Sequence, residues 1–468
     1  MIQKAFVLAS ALVLGGCVAG PAPEIDTSPP PLPRSFAFAP DAATGAAIAA
    51  LLPADDPAYA ELAAAALQDA PTLVQAAARI EIARAGAARA GAEQLPNVVA
   101  DAAVTATRTN PNQFGTSLPP GIVIDTERVR YGANVAASWD PDLFGRLRNR
   151  EEAVRARLDA ASFEALGIRN ALLAEIAISV IDWRTLEARR AALLEDVSAA
   201  DELARLASVR ERAGIAPGFD RVRAESAAEA SRSRIEALSS ERARLAGRLT
   251  TLTGLPVQTV LSALSESIDT PAAPAPPAAL PSDLLANRPD VLAAEANLRA
   301  SDADLAATAA RRFPQLTLSA AIGLLAFDIG GLFDDDALVA SAGPSLLAPL
   351  LDFGRVQGEI DGAAAEKRLA FAQYRDAVFT ALGDAETVYG LVAAADRELA
   401  AASSEAASLD RAARLADTRY RAGLADLLTV LEARRAADGS AERLASARGR
   451  AYRARVLLWR ALGGDVGG

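Results

Sequence analysis

Several residue types are absent or nearly absent from this 468-residue chain. It has no His, one Cys (Cys17) and two Lys (Lys4 and Lys367). Without His there is no Ser-His-Asp triad and no imidazole base. With a single Cys there is no disulfide within the chain and no Cys/His zinc site. Neither Lys follows a Gly-rich loop, so the sequence holds no phosphate-cradling P-loop. Carboxylate pairs are available in principle, but none stands out among 59 acidic residues. Aromatic residues make up 5% of a chain that is 51% hydrophobic, so its apolar content is mostly Ala, Leu and Val. That composition suits closely packed helices better than a bulky core. The balance of 48 basic against 59 acidic residues, −11 net, is opposite to that of a general nucleic-acid binder. An enzyme is the least expected reading, and no catalytic residue and no cofactor are predicted.

What is present begins with an export signal. Lys4 supplies a positive start, and residues 5–14 form an apolar run too short to span a membrane. Leu14-Gly15-Gly16-Cys17 then resembles a bacterial lipobox. That resemblance implies cleavage before Cys17 and a covalent lipid on it. Val18, rather than an Asp, follows the Cys and points to outer-membrane sorting.

Beyond this signal the chain repeats itself. Two runs alternate with period two, the mark of half-buried strands. Val98, Ala100, Ala102, Val104 and Ala106 face one way in the first hairpin, and Leu316, Leu318, Ala320, Ile322 and Leu324 do so in the second. Each hairpin ends in a turn, Trp139-Asp140-Pro141-Asp142-Leu143-Phe144-Gly145-Arg146 and Ala348-Pro349-Leu350-Leu351-Asp352-Phe353-Gly354-Arg355. In each, Pro ends the extended run and Asp is placed to cap a helix. About 70 residues of Pro-free helical pattern follow each turn, a rod of roughly 100 Å. Gly145 and Gly354 lie 209 residues apart, and so do Gly214 and Gly423 at the far ends of the rods. Pro71/Pro289 and Pro96/Pro314 lie 218 apart, so nine extra residues sit in the first hairpin.

The predicted organisation is therefore an internal two-fold repeat. Residues 1–17 are signal peptide and lipobox, and 18–57 an extended, weakly ordered tether. Residues 58–95 are the helices of the first repeat, 96–140 its β-hairpin and 141–254 its long helical hairpin. Residues 255–287 are a linker. Residues 288–313 are the helix of the second repeat, 314–350 its β-hairpin, and 351–464 its long helical hairpin and C-terminus.

This order resembles the TolC-type outer membrane factors, most closely the lipoprotein branch typified by OprM and NodT. The specific pieces are Ala136-Ala137-Ser138-Trp139 running into the first turn, Asn287-Arg288-Pro289-Asp290-Val291, Arg311-Arg312-Phe313-Pro314-Gln315-Leu316, Gly343-Pro344-Ser345-Leu346 and Arg419-Tyr420-Arg421-Ala422-Gly423-Leu424. The second turn departs from the family pattern: Ala348 stands for its Trp, Leu351 for its Phe and Phe353 for its first Gly.

The resemblance implies a mainly α fold with a membrane β part. Four strands from each of three subunits would close a twelve-stranded β-barrel, continuous with a long periplasmic α-helical barrel. It implies a periplasmic gate of Tyr420, Leu428 and Glu432, with Thr429 where some relatives carry a second acid. It implies barrel junctions at Trp139, Pro141, Gly145, Arg146, Pro349, Asp352, Gly354 and Arg355. The tips, Arg212, Ala213, Gly214 and Arg421, Ala422, Gly423, would dock a periplasmic adaptor (a membrane fusion protein). The further partners would be an inner-membrane pump, proton-driven and of RND type, and outer membrane lipid, with no nucleic acid.

The function implied is a passive exit duct of a tripartite efflux pump for small toxic compounds, drugs or metal ions. The alternatives are the outer component of type I protein secretion and a non-conducting coiled-coil envelope lipoprotein. The two hairpins argue against the last. Asp334-Asp335-Asp336 reads as a solvated loop, and no metal site is expected.

Overall fold

The computed structural model describes residues 23–40, 48–110, 127–215, 217–266 and 273–464. Cys17, with the export signal, lies outside them. The first half of the chain forms α1 (Pro57–Asp69), α2 (Pro71–Ala92), β1 (Asn97–Arg108), β2 (Glu127–Trp139), α3 (Arg146–Arg212) and α4 (Gly218–Thr253). Two short helices follow, α5 (Val257–Leu264) and α6 (Pro281–Asn287). The second half gives α7 (Pro289–Ala309), β3 (Gln315–Ala326), β4 (Leu338–Leu347), α8 (Arg355–Arg421) and α9 (Leu427–Ala461). Both α3 and α8 are 67 residues long, and both their starts and their ends lie 209 residues apart.

The chain folds as two compact units. One takes the described residues of 1–27, 81–159 and 296–372. It contains a four-stranded antiparallel sheet in the order β1-β2-β3-β4. Val135 pairs with Ala100 on one side and Ile322 on the other, and Ile322 pairs with Ala340. Following that register across the sheet separates its two faces. One is apolar but for the Arg108–Glu127 pair at its end, with Val98, Val104, Tyr131, Val135, Trp139, Leu318, Ile322, Leu338 and Leu346 among Ala residues. The other carries Asn97, Asp101, Thr105, Arg130, Asn134, Ser138, Thr317, Ser319, Ser341 and Ser345. Every residue of β1 and β4 is exposed. Eighteen residues join β1 to β2 and eleven join β3 to β4, so most of the first copy's extra length lies in that connection.

The second unit takes the described residues of 28–80, 160–295 and 373–468. Its core is built from small residues between helices, with Trp459, Tyr389, Leu62, Ile176 and Leu249 among the large buried side chains. Asp56 caps α1, accepting from the Ala58 N–H at 2.9 Å ahead of a Pro at the first helical position.

Three expectations are corrected here. The part of the 18–57 tether that the structure describes is extended but docked. Phe36 is buried and lies 5.5 Å from the Tyr389 ring, and the Glu386 carboxylate accepts from the Ala37 and Phe38 N–H groups. The 255–287 linker holds α5 and α6, and its carbonyls are captured. Arg184 donates to the carbonyl of Leu264, Arg455 to that of Pro274 and the Tyr389 hydroxyl to that of Pro277. These long-range donors replace the sheet or helix partners that a Pro-rich segment lacks. The second long helix begins at Arg355, not Asp352, so seven residues separate β4 from α8 where six separate β2 from α3.

Candidate channel wall, junctions and helix tips

At the first junction Asp140 and Asp142 organise the turn. Asp140 accepts from the Asp142 N–H, from Arg146 at 2.9 Å and from Gln315 at 3.0 Å. Asp142 accepts from the N–H groups of Leu147 and Arg148, closing the free N-terminus of α3. Gly145 has φ +74°, which its lack of a Cβ permits. Trp139 ends β2 and donates its Nε1–H to the Gln94 carbonyl at 2.9 Å, and Pro141 follows in the turn.

At the second junction one residue does the work of two. Asp352 accepts from Gly354 N–H at 3.1 Å and from Val356 N–H at 3.0 Å. These two donors hold its carboxyl below the usual range. Gly354 has φ +88°, and Arg355 pairs with Glu359 at 2.8 Å. The positive φ of a non-Gly residue falls on Asp142 in the first turn and on Phe353 in the second. Pro349 sits in a stretch without a counterpart to the Trp139 bond.

At the far ends, both rods stop in the same way. Gly214 (φ +71°) and Gly423 (φ +75°) bond back to Glu211 and Tyr420, while Ile215 and Leu424 bond to Arg210 and Arg419. This is a Schellman stop, twice. Arg212, Ala213, Gly214, Arg421, Ala422 and Gly423 are all exposed, and Ile215, Phe219 and Leu424 add exposed apolar surface beside them.

Tyr420 is 2% exposed and lies in a cluster drawn from four helices: Leu203 and Ala207 of α3, Ala224 of α4, Ala416 of α8, and Leu427 and Val430 of α9. The Arg210 guanidinium lies 4.4 Å above its ring. Beside it, Asp417 pairs with Arg421 at 2.9 Å and Arg434 at 3.6 Å. Leu428 and Glu432 sit one turn apart on α9, both exposed. Thr429 is engaged at the start of α9, its N–H and hydroxyl both donating to Asp426. The structure thus buries Tyr420 among four helices and leaves Leu428 and Glu432 exposed. Sequence reading missed Arg210 and Asp417, which carry no motif of their own.

Asp334, Asp335 and Asp336 are exposed in short 3₁₀ turns, and no group of acidic residues among the described ones is arranged to hold a metal ion. No helix among the described residues is long and apolar enough to cross a membrane. The membrane surface is the sheet: apolar on one face, polar on the other, with two open edges. Open edges and an apolar face are not stable alone in lipid, which is the condition for strands that close a barrel with other copies.

Sheet and rods together define a channel-forming outer membrane protein of the TolC type. Residues 62–255 and 280–464 match the family described as outer membrane efflux protein. The chain belongs to that family. It is 32% identical to the pyoverdine export outer membrane protein OpmQ of Pseudomonas aeruginosa, covering 85% of this chain and 83% of that protein. It is 27% identical to nodulation protein T of Rhizobium leguminosarum bv. trifolii, covering 93% and 92%. The solved structure of the outer-membrane channel OprN superposes with a TM-score of 0.84 at 27% identity, covering 96% of this chain and 99% of that one. The protein is an outer membrane efflux channel component.

Proposed function

We propose that three copies of this chain close a twelve-stranded barrel continuous with a helical duct, as the exit of a tripartite pump. The observation that carries this is the sheet, with one face apolar but for the terminal Arg108–Glu127 pair and two edges that lack partners within the subunit. Lipid on Cys17 anchors the subunit to the outer membrane. The tips at Gly214 and Gly423 dock a periplasmic adaptor, and an inner-membrane pump, proton-driven and of RND type, supplies the cargo. The cargo class is small toxic compounds, drugs or metal ions, and no catalytic activity is assigned. The relatives named for pyoverdine export and toluene efflux support small molecules over proteins.

The gate reading follows from Tyr420 as tether and from Leu428 and Glu432 on a free face near the tip. Three copies would bring Leu428 and Glu432 together as an apolar ring and a carboxylate ring. Purified trimers carrying Leu428→Ala with Glu432→Ala should show raised single-channel conductance in planar bilayers, and cells expressing them should leak antibiotics. Unchanged conductance and leakage would defeat the gate assignment. Cys residues placed at 214 and 423 should crosslink to a co-expressed adaptor, and no crosslink at either would count against docking.

A further inference from the structure

The register of the sheet sorts its charges by face as well as its apolar side chains. The polar face carries three charged residues, Asp101 of β1 and Arg128 and Arg130 of β2. β3 and β4 have no charged residue on either face. Arg130 stands opposite Thr105 and Arg128 opposite Thr107, both at the end of the sheet where β1 leads on to β2. Arg130 and Trp139, at the junction, lie nine residues apart in β2, about 30 Å of strand. The two arginines therefore sit at the end remote from the rods, two residues apart and on one face.

Their surroundings leave this charge unbalanced. Across the sheet, on the apolar face, Arg108 has its own acid, Glu127, at 3.3 Å. Arg130 has no acid within ion-pair distance among the described residues. Arg128 lies over the Phe327 ring, 5.6 Å from its centroid, a contact that anchors the guanidinium and supplies no counter-ion. The one acid of the polar face, Asp101, is four residues back along β1 from Thr105, about 13 Å of strand. It accepts from the Asn134 amide at 3.4 Å. Both Arg128 and Arg130 are exposed.

We propose that Arg128 and Arg130 form a basic collar at the outer end of the lumen, which binds carboxylate-bearing cargo as it leaves. This rests on the reading of the sheet as one third of a closed barrel with its polar face to the lumen. Three copies set six guanidinium groups around one axis, with three Asp101 carboxylates below them. Arginine rings in a pore draw anions, and low-dielectric walls focus their field. The planar guanidinium fork bonds both oxygens of a carboxylate, so the collar prefers organic oxyanions to a halide. Exposure to water keeps that binding weak enough for release.

Benzene-1,3,5-tricarboxylate, a trianion, tests the collar on purified full-length trimers in planar bilayers. Added on the side to which the hairpin connections project, it should interrupt the potassium chloride current. Raising the salt from about 0.1 M to about 1 M shortens the Debye length from about 10 to about 3 Å and should relieve the block. Arg130→Gln and Arg128→Gln should each weaken the block by about tenfold or more, the loss expected when a charged hydrogen-bond donor is removed. Arg130→Lys keeps the charge without the fork and should fall between them and wild type. Arg108→Gln, on the lipid face, should leave the block unchanged. A block that survives in Arg128→Gln with Arg130→Gln, or that Arg108→Gln removes, overturns the collar. So does a wild-type channel that conducts normally and is not blocked, a result that needs no variant to assemble. A preparation that conducts under no condition overturns the channel reading with it.

Discussion

Arg288 shows how much one residue of a motif can hold. It is 7% exposed and donates to Asp290 at 2.6 Å, to Asp384 of α8 at 3.1 Å and to the Ala461 carbonyl at 3.2 Å. It thereby ties the start of α7 to α8 and to the end of α9. Arg288→Ala should cost about 1.5–3 kcal/mol, because it removes a buried guanidinium's hydrogen bonds to two half-exposed carboxylates and a carbonyl, and should appear as a lowered melting temperature of the purified protein. Gly463 abuts the same clamp with φ +98°, and a Cβ there would lie 2.4 Å from the Asn287 carbonyl oxygen. Gly463→Ala should therefore lower the melting temperature too, through backbone strain and a clash that no side chain can relieve.

At this scale legibility was uneven. Asp142, Asp352, Gly214 and Gly423 could be read directly, because caps and helix stops are local chemistry. Arg288 stood in a recognisable motif without its partners being visible. Arg210 gave no signal at all: it lies far from Tyr420 in sequence and is an ordinary helix residue until the fold sets it against that ring.

Among the elements, the sheet was the most legible, since a period of two places every side chain on a known face. Its register makes a sharp prediction. Ile322→Arg on the apolar face should cost about 2–4 kcal/mol at the middle of the bilayer and sharply reduce assembled protein in outer membrane fractions. Ser319→Arg, on the polar face, should assemble at close to the normal level. The long helices were legible in extent because Ala, Arg and Glu favour helix and no Pro interrupts them. The 255–287 segment was not, because α5 and α6 are short and their anchors, Arg184, Arg455 and Tyr389, come from distant helices. Pro-rich composition says only that local partners are lacking, not that remote ones are supplied.

For the whole molecule, the repeat set the architecture before any contact was known. The copies differ in the length of the hairpin connection and by one residue between sheet and rod, where Asp352 alone stands for the Asp140–Asp142 pair. Joining of subunits is not written in any one chain's contacts. It shows as the unspent apolar face and edges of the sheet. Cys17→Ala should leave the chain without incorporated palmitate when cells are labelled with the fatty acid, and reduce its yield in outer membrane fractions.

The equal length of α3 and α8 has a consequence for how such a protein can change. Both rods begin at a fixed junction, and both tips meet where Arg210 lies against Tyr420. An insertion in one rod would carry its tip past the other and empty the pocket around that ring. Length is thus a single dimension written in two places. A longer or shorter duct requires the same edit twice, 209 residues apart, with matching edits in both return helices. A lone insertion anywhere in either rod is an error that nothing local can repair.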